Sequence, residues 1–119
     1  MPGSLLIKRG DLFRVHLSGT KGSEQSGRRP VCVIQNDVGN ALAPTVIVAP
    51  LSSKHLEKEY PTNVFVPKDS AGLSSDSVVL LSQIRSIDKG RLNKKIGSLP
   101  ENLMVKVDQA IRVSLALLP

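Results

Sequence analysis

Aromatic side chains are scarce in this chain: 119 residues hold no tryptophan, one tyrosine and two phenylalanines. A sheet that reads single strands by stacking bases needs several exposed rings, so an aromatic RNA-recognition sheet is disfavoured. Cysteine is equally sparse. Cys32 is the only one, so no internal disulfide can form, and its apolar surroundings mark it as buried filler. His16 and His55 lack cysteines or carboxylates at metal-ligand spacing, so no metal and no cofactor is expected. No phosphate-cradling GxxxxGK[ST] occurs, and Gly19-Thr20-Lys21-Gly22 is too short and precedes a strand instead of a helix. No G-x-S-x-G elbow offers a serine nucleophile. No run approaches the ~20 apolar residues of a membrane span. Met1 to Ile7 lacks the long apolar stretch of a signal peptide, so a cytoplasmic location away from membranes is expected.

What is present suits one domain over residues 1–119, with an ordered part at about 8–117. Apolar residues make up 40% of the chain and charged residues 22%, enough for a core and too little charge for disorder. A domain of this size gains from burial against a second copy. Sixteen Lys and Arg against ten Asp and Glu leave a net charge of +6, which favours polyanionic partners or serves solubility alone.

Leu12 to Leu17 alternates, with Leu12, Arg14 and His16 on one side and Phe13, Val15 and Leu17 on the other, the period of a half-buried strand. Residues 18–29 form a polar, glycine-rich loop with almost nothing apolar, long enough to be functional or flexible. Pro30 to Ile34 and Thr45 to Leu51 read as apolar strands, with a turn region from Gln35 to Pro44 between them. Lys54 to Tyr60 is polar, a loop or a helical turn. Thr62 to Val66 alternates; Val78 to Leu81 reads as a buried strand, and its polar continuation through Ile87 alternates. Leu92 to Ile96 suggests a last strand. Ser98-Leu-Pro-Glu101 matches a capping box. Leu103, Val107, Ala110, Ile111, Ser114 and Leu118 follow at helical spacing over about five turns. Short strands with one terminal helix predict a mostly β fold, a small antiparallel barrel or sheet with a C-terminal amphipathic helix.

Chemistry concentrates at strand ends. Arg28-Arg29 stands where the loop meets the second strand, and Ser52-Ser53 where the third strand ends. Antiparallel neighbours bring such ends together. An arginine fork matched to phosphate oxygens beside a hydroxyl donor stabilises charge on a phosphate under attack. The plain alternative is a solvated arginine and a turn-forming serine.

The order of several segments is more specific. Arg9-Gly-Asp11, Gly22-Ser-Glu-Gln-Ser-Gly-Arg-Arg-Pro30, Val33-Ile-Gln-Asn-Asp-Val-Gly-Asn40, Pro44-Thr-Val-Ile-Val-Ala-Pro-Leu-Ser-Ser53, Asp76-Ser-Val-Val-Leu-Leu81, Gln83-Ile-Arg85 and Ile87-Asp-Lys89 together resemble the MazF/PemK family of endoribonuclease toxins. The resemblance spans about residues 8 to 117. It implies an SH3-like β-barrel, a homodimer with single-stranded RNA along its groove, and metal-independent cleavage by attack of the ribose 2′-hydroxyl. The products implied are a 2′,3′-cyclic phosphate and a 5′-hydroxyl. It also implies a cognate antitoxin whose acidic, disordered tail blocks the groove. By position, the family's catalytic arginine falls on Arg29 as general acid and stabiliser of the transition state, although a guanidinium gives up its proton reluctantly. The catalytic threonine falls on Ser52, which keeps the hydroxyl and loses the methyl that restricts its rotation. Glu24, Gln25, Asn36, Ser53 and Gln83 match RNA-contacting positions, and local turn bonding is an equal reading for Asn36. His16 stands where many members carry an acid, and Gly19-Thr20 replaces a proline-containing turn, so substrate preference is open to change. Two alternatives remain: a non-enzymatic toxin of the same fold that grips DNA gyrase, and an RNA-binding relative without activity.

Overall fold

The computed structural model describes residues 6–54 and 56–117; His55 and Leu118, both considered above, lie outside the described residues. The order of elements is β1 (Asp11–Leu17), β2 (Gly27–Val33), α1 (Asp37–Leu42), β3 (Thr45–Ser52), β4 (Asn63–Val66), β5 (Ser77–Leu80), β6 (Arg85–Asp88), a 3-10 turn at Lys89–Arg91, β7 (Lys94–Ser98) and α2 (Glu101–Ser114). The strands pair antiparallel in the order β4-β5-β3-β2-β1-β7, and β6 pairs with β3. The sheet curls without closing: among the described residues no ladder joins β4 to β7.

Alternation along the central strands sorts side chains into two cores. Phe13, Val15 and Leu17 of β1 meet Val31 and Val33 of β2 and Val46 and Val48 of β3 on one face. Leu12, Cys32, Ala49 and Leu51 point to the other, where α2 covers them with Leu103, Val107 and Ala110. Strand β3 is central to both. Its first half pairs with β6 from Thr45 to Val48, and its last residues, Leu51 and Ser52, pair with β5.

Several expectations are corrected. Gly27 to Arg29 belong to β2, paired with β1 from Leu17 to Val15, so the loop ends at Ser26 instead of Arg29. The stretch read as a turn region holds helix α1, capped by the Asn36 side chain, which accepts from Gly39 N–H at 2.8 Å. Ser98 is no helix cap: it ends β7, and its hydroxyl donates to the buried Asp11 carboxylate at 2.7 Å. α2 starts at Glu101 after Pro100 without a side-chain cap. Proline supplies the fixed φ of a helix entry, and its missing N–H costs nothing there. The 14 residues of α2 make about four turns instead of five.

Candidate functional site

The site grows from the place where the β2–β3 ladder stops. Val31, Cys32 and Val33 pair with Pro50, Ala49 and Val48. Continuing that register for two residues sets Arg29 opposite Ser52. Strand alternation puts Arg29 on the face of Val31 and Ser52 on the face of Val48, the same side of the sheet. Half-buried Arg29 donates from Nε to the Ser26 carbonyl at 2.7 Å, which orients the guanidinium and leaves its terminal amino groups uncommitted by that bond. Buried Ser52 accepts the Lys54 N–H at 3.1 Å. That bond occupies a lone pair and does not use the hydroxyl proton.

Ser52 lines a cleft of about 440 Å³ with Gln25, Gln83, Lys54, Lys58 and Tyr60, and no carboxylate is among its lining residues. Gln25, Ser82 and Gln83 also line an adjoining cleft of about 410 Å³ that includes Glu24. The Gln25 N–H donates to Gln83 Oε1 at 2.8 Å, fastening the loop after β1 to the turn before β6. Gln25 Oε1 is buried with no hydrogen-bond partner among the described residues, and a buried, unpaired acceptor is costly unless a ligand supplies the donor.

The predicted residues are therefore brought together in part. Ser52, Gln25 and Gln83 share one cleft, with Glu24 beside it. Arg29 and Ser53 line a smaller, separate cleft across the strand end. Asn36 belongs elsewhere: it caps α1 at the opposite end of β2. There Asp37 accepts the Arg9 N–H at 2.7 Å, a bond that, with the Asn40 amide, holds its carboxyl below the usual carboxylate range. His16 is exposed opposite Arg28. Cys32 is fully buried, and loss of solvation pushes its thiol up to about 12, so it is no nucleophile at neutral pH. Lys54, Lys58 and the exposed Tyr60 were not singled out from sequence. Their segment has no periodicity, and the only signal was its place directly after Ser53. Among the described residues, no three His, Cys, Asp or Glu gather as a metal would require, and no helix is long and apolar enough to cross a membrane.

Residues 8–115 match the family model described as PemK-like, MazF-like toxin of type II toxin-antitoxin system. The chain is 48% identical over 114 residues to endoribonuclease EndoA of Bacillus subtilis (strain 168), covering 96% of this chain and 98% of that one. Its fold is similar to the crystal structure of MazF from Deinococcus radiodurans, with a TM-score of 0.80 at 24% identity over 95% of this chain and 99% of that chain. It is also similar to a mycobacterial endoribonuclease in complex with its cognate antitoxin, with a TM-score of 0.75 at 22% identity over 96% and 97%.

Proposed function

The chain belongs to the PemK-like, MazF-like toxins of type II toxin-antitoxin systems, and from that premise we propose that it is a metal-independent endoribonuclease cutting single-stranded RNA at short sequence motifs. What supports this reading is the Val31–Pro50 pair at the end of the β2–β3 ladder: that register, continued by two residues, would face Arg29 with Ser52. An arginine and a hydroxyl converging on one phosphate supply donors where negative charge develops during in-line attack.

In this reading the ribose 2′-oxygen forms a bond to the adjacent phosphorus, and the bond to the 5′-oxygen of the next nucleotide breaks. The 2′-hydroxyl gives its proton to water, and the departing 5′-oxygen takes one from the guanidinium of Arg29, which water then reprotonates. Arg29 also stabilises the non-bridging oxygens. Its electrostatic role carries more of the rate than its acidity, because a guanidinium holds its proton far above neutral pH. Ser52 donates to the same phosphate. Gln25, Gln83 and Glu24 read bases, the unpaired Gln25 Oε1 accepting from a base amino group. Tyr60, exposed at the rim of the Ser52 cleft, offers one ring for stacking. Ser53 contacts the strand beside the scissile position. Asn36, occupied as a helix cap, has the weakest support as an RNA contact. A second copy of the chain completes the RNA groove, and a cognate antitoxin with an acidic, disordered tail competes for it. The net charge of +6 suits both polyanions.

The test is cleavage of a long single-stranded RNA in EDTA by the purified protein beside Arg29→Ala, with end-group analysis. Defined cuts ending in cyclic phosphate, made only by the unaltered protein, are expected. Intact RNA, or equal cutting by the variant, refutes the assignment.

A further inference from the structure

The small cleft beyond the end of β3 has a chemistry of its own. Its volume is about 210 Å³, and Arg14, Arg28 and Arg29 line it together with Ser53, Ser74 and Ser75. No carboxylate is among its lining residues. Arg14 and Arg28 are exposed on β1 and β2, and none of the three arginines is ion-paired among the described residues, whose two salt bridges are Arg9–Asp108 and Lys95–Asp11. Arg14 also stands directly opposite Lys94 of β7. Like charges facing each other across a ladder oppose folding, so this patch persists at a cost that a bound anion would offset.

The serine side of the cleft is fixed. The backbone before the turn packs closely on β7: a Cβ at Gly72, whose φ is 81, would run into the Ile96 carbonyl, and one at Gly97 would run into the Ala71 carbonyl. The Ser77 hydroxyl donates to the Ser75 carbonyl at 3.1 Å, and the Asp76 carboxylate accepts the Lys68 N–H at 2.8 Å. The Ser74–Ser75 turn is thus held against the arginines before any ligand arrives, which lowers the entropy lost on binding.

We propose that this cleft is a phosphate subsite for the RNA backbone, engaging the phosphate next to the scissile one through Arg14 and Arg28 with the hydroxyls of Ser53, Ser74 and Ser75. The inference rests on the ribonuclease reading above and adds a place for the strand outside the Ser52 cleft. Ser52 and Ser53 are consecutive, about 3.8 Å apart at Cα, and line the two clefts separately. Arg29 lines the arginine–serine cleft and not the Ser52 cleft. A strand crossing the end of β3 meets Ser52 with one phosphate and the arginine–serine cleft with its neighbour. Backbone contacts of this kind set register and affinity without reading sequence.

The experiment compares the full-length protein with the double variant Arg14→Gln/Arg28→Gln and the charge-matched control Lys106→Gln/Arg112→Gln on exposed positions of α2. Fluorescence anisotropy measures binding of a mixed-sequence 2′-O-methyl RNA of about twenty nucleotides, which lacks the attacking hydroxyl, across a salt series. The expected result is affinity weakened about tenfold or more in the double variant, with a salt slope shallower by about 0.7 for each phosphate no longer neutralised. The control binds as the parent does, and neither variant melts below the parent.

Parental affinity and slope in the double variant overturn the subsite, and RNA cleavage by the parent in that case leaves the ribonuclease reading standing. Equal weakening in the control also overturns it, since net charge alone would then explain the loss. A parent that neither cuts nor binds RNA overturns both. Two further arms separate other anions. Inorganic phosphate bound by the parent and lost in the double variant, with RNA affinity unchanged, makes the cleft a free-phosphate site. The same pattern with a polyglutamate peptide makes it an acidic-protein site. Either pattern overturns the proposal.

Discussion

The two ends of β2 obey opposite rules. At its C-terminal end Val31, Cys32 and Val33 are fully buried and pair with β3; on the other edge Val31 and Cys32 pair with β1, and the Val33 carbonyl accepts the Gly10 N–H at 2.8 Å. The chain just beyond is tied down as well. Ile34 and Gln35 both donate to the Ile47 carbonyl, Arg9 Nε donates to the Ile34 carbonyl, and Arg9 reaches Asp108 on α2 at 2.8 Å. At the N-terminal end Gly27 to Pro30 pair only with β1, and Arg28 and Arg29 face clefts. A strand held rigidly at one end and released from its partner at the other can aim cationic side chains without burying them. Stability and chemistry therefore separate along a single seven-residue strand, and substitutions at its ends should separate too.

The largest expected effect is on catalysis at the free end. Arg29→Ala should lower kcat by about 10²–10³, or ~2.7–4 kcal/mol by analogy with removal of one oxyanion donor, while its melting temperature stays close to the parent's. Single-turnover cleavage beside a thermal melt checks both halves, and a folded variant of full activity refutes the role given to Arg29. The next effect lies at the fixed end. Val33→Ala removes two buried methyl groups from a fully packed position and should cost about 2–3 kcal/mol of stability, with a lower melting temperature and near-parental kcat well below it. Should Val33→Ala instead slow cleavage at temperatures where it is fully folded, the separation of the two ends fails.

The fixed end was also the more legible one. Alternation in Leu12 to Leu17 gave the strand and its two faces, because β1 is buried on one side and partly open on the other. Apolar runs at Pro30 to Ile34 and Thr45 to Leu51 located β2 and β3 for the same reason. The boundary at Arg29 was misplaced because Gly27 to Arg29 are polar, and strand pairing with β1, not burial, makes them a strand. Helix α1 was missed because six residues carry too little periodicity to show, although Asn36 at its start is a good cap. The capping box at Ser98 was a local signal overruled by a tertiary one: its hydroxyl is worth more against the buried charge of Asp11 than at a helix start where Pro100 has no N–H to satisfy. Within the site, the approach of the start of β2 to the end of β3 was readable from strand order. The division into two clefts was not, since it depends on how the sheet curls and on where the Ser74–Ser75 turn comes to rest.

A smaller effect probes the partner of Arg29. Ser52→Ala deletes one phosphate donor and leaves the Lys54 N–H without its acceptor. The expected loss in kcat is about tenfold, less than for Arg29→Ala, with a stability cost of about 1 kcal/mol. Ser52→Thr restores the hydroxyl with a more restricted rotation and should recover most of the rate. Threonine as slow as alanine would mean that the hydroxyl is not what position 52 contributes.

The smallest effect returns to the fixed end, through pH. Asp37 takes the Arg9 backbone N–H and an Asn40 amide proton, and these bonds lower its pKa from the ordinary value of 3.8. A carboxyl with a depressed folded-state pKa stabilises the fold fully above its unfolded value and loses that contribution as pH falls through the folded one. Its share is therefore complete at neutral pH and begins to fade below about pH 4. Asp37→Asn keeps an oxygen for the Arg9 N–H and removes the charge. The melting temperature of the parent should exceed that of the variant at neutral pH, and the gap should narrow toward about pH 3. A gap that is constant over that range would mean that Asp37 acts through its shape alone. The group is exposed, so solvent screens the effect. Because the Asp37 tie lies at the end of β2 remote from Arg29, single-turnover cleavage by Asp37→Asn at neutral pH should match the parent's even where its stability does not. A matching loss of rate would mean that the two ends of the strand are mechanically coupled after all.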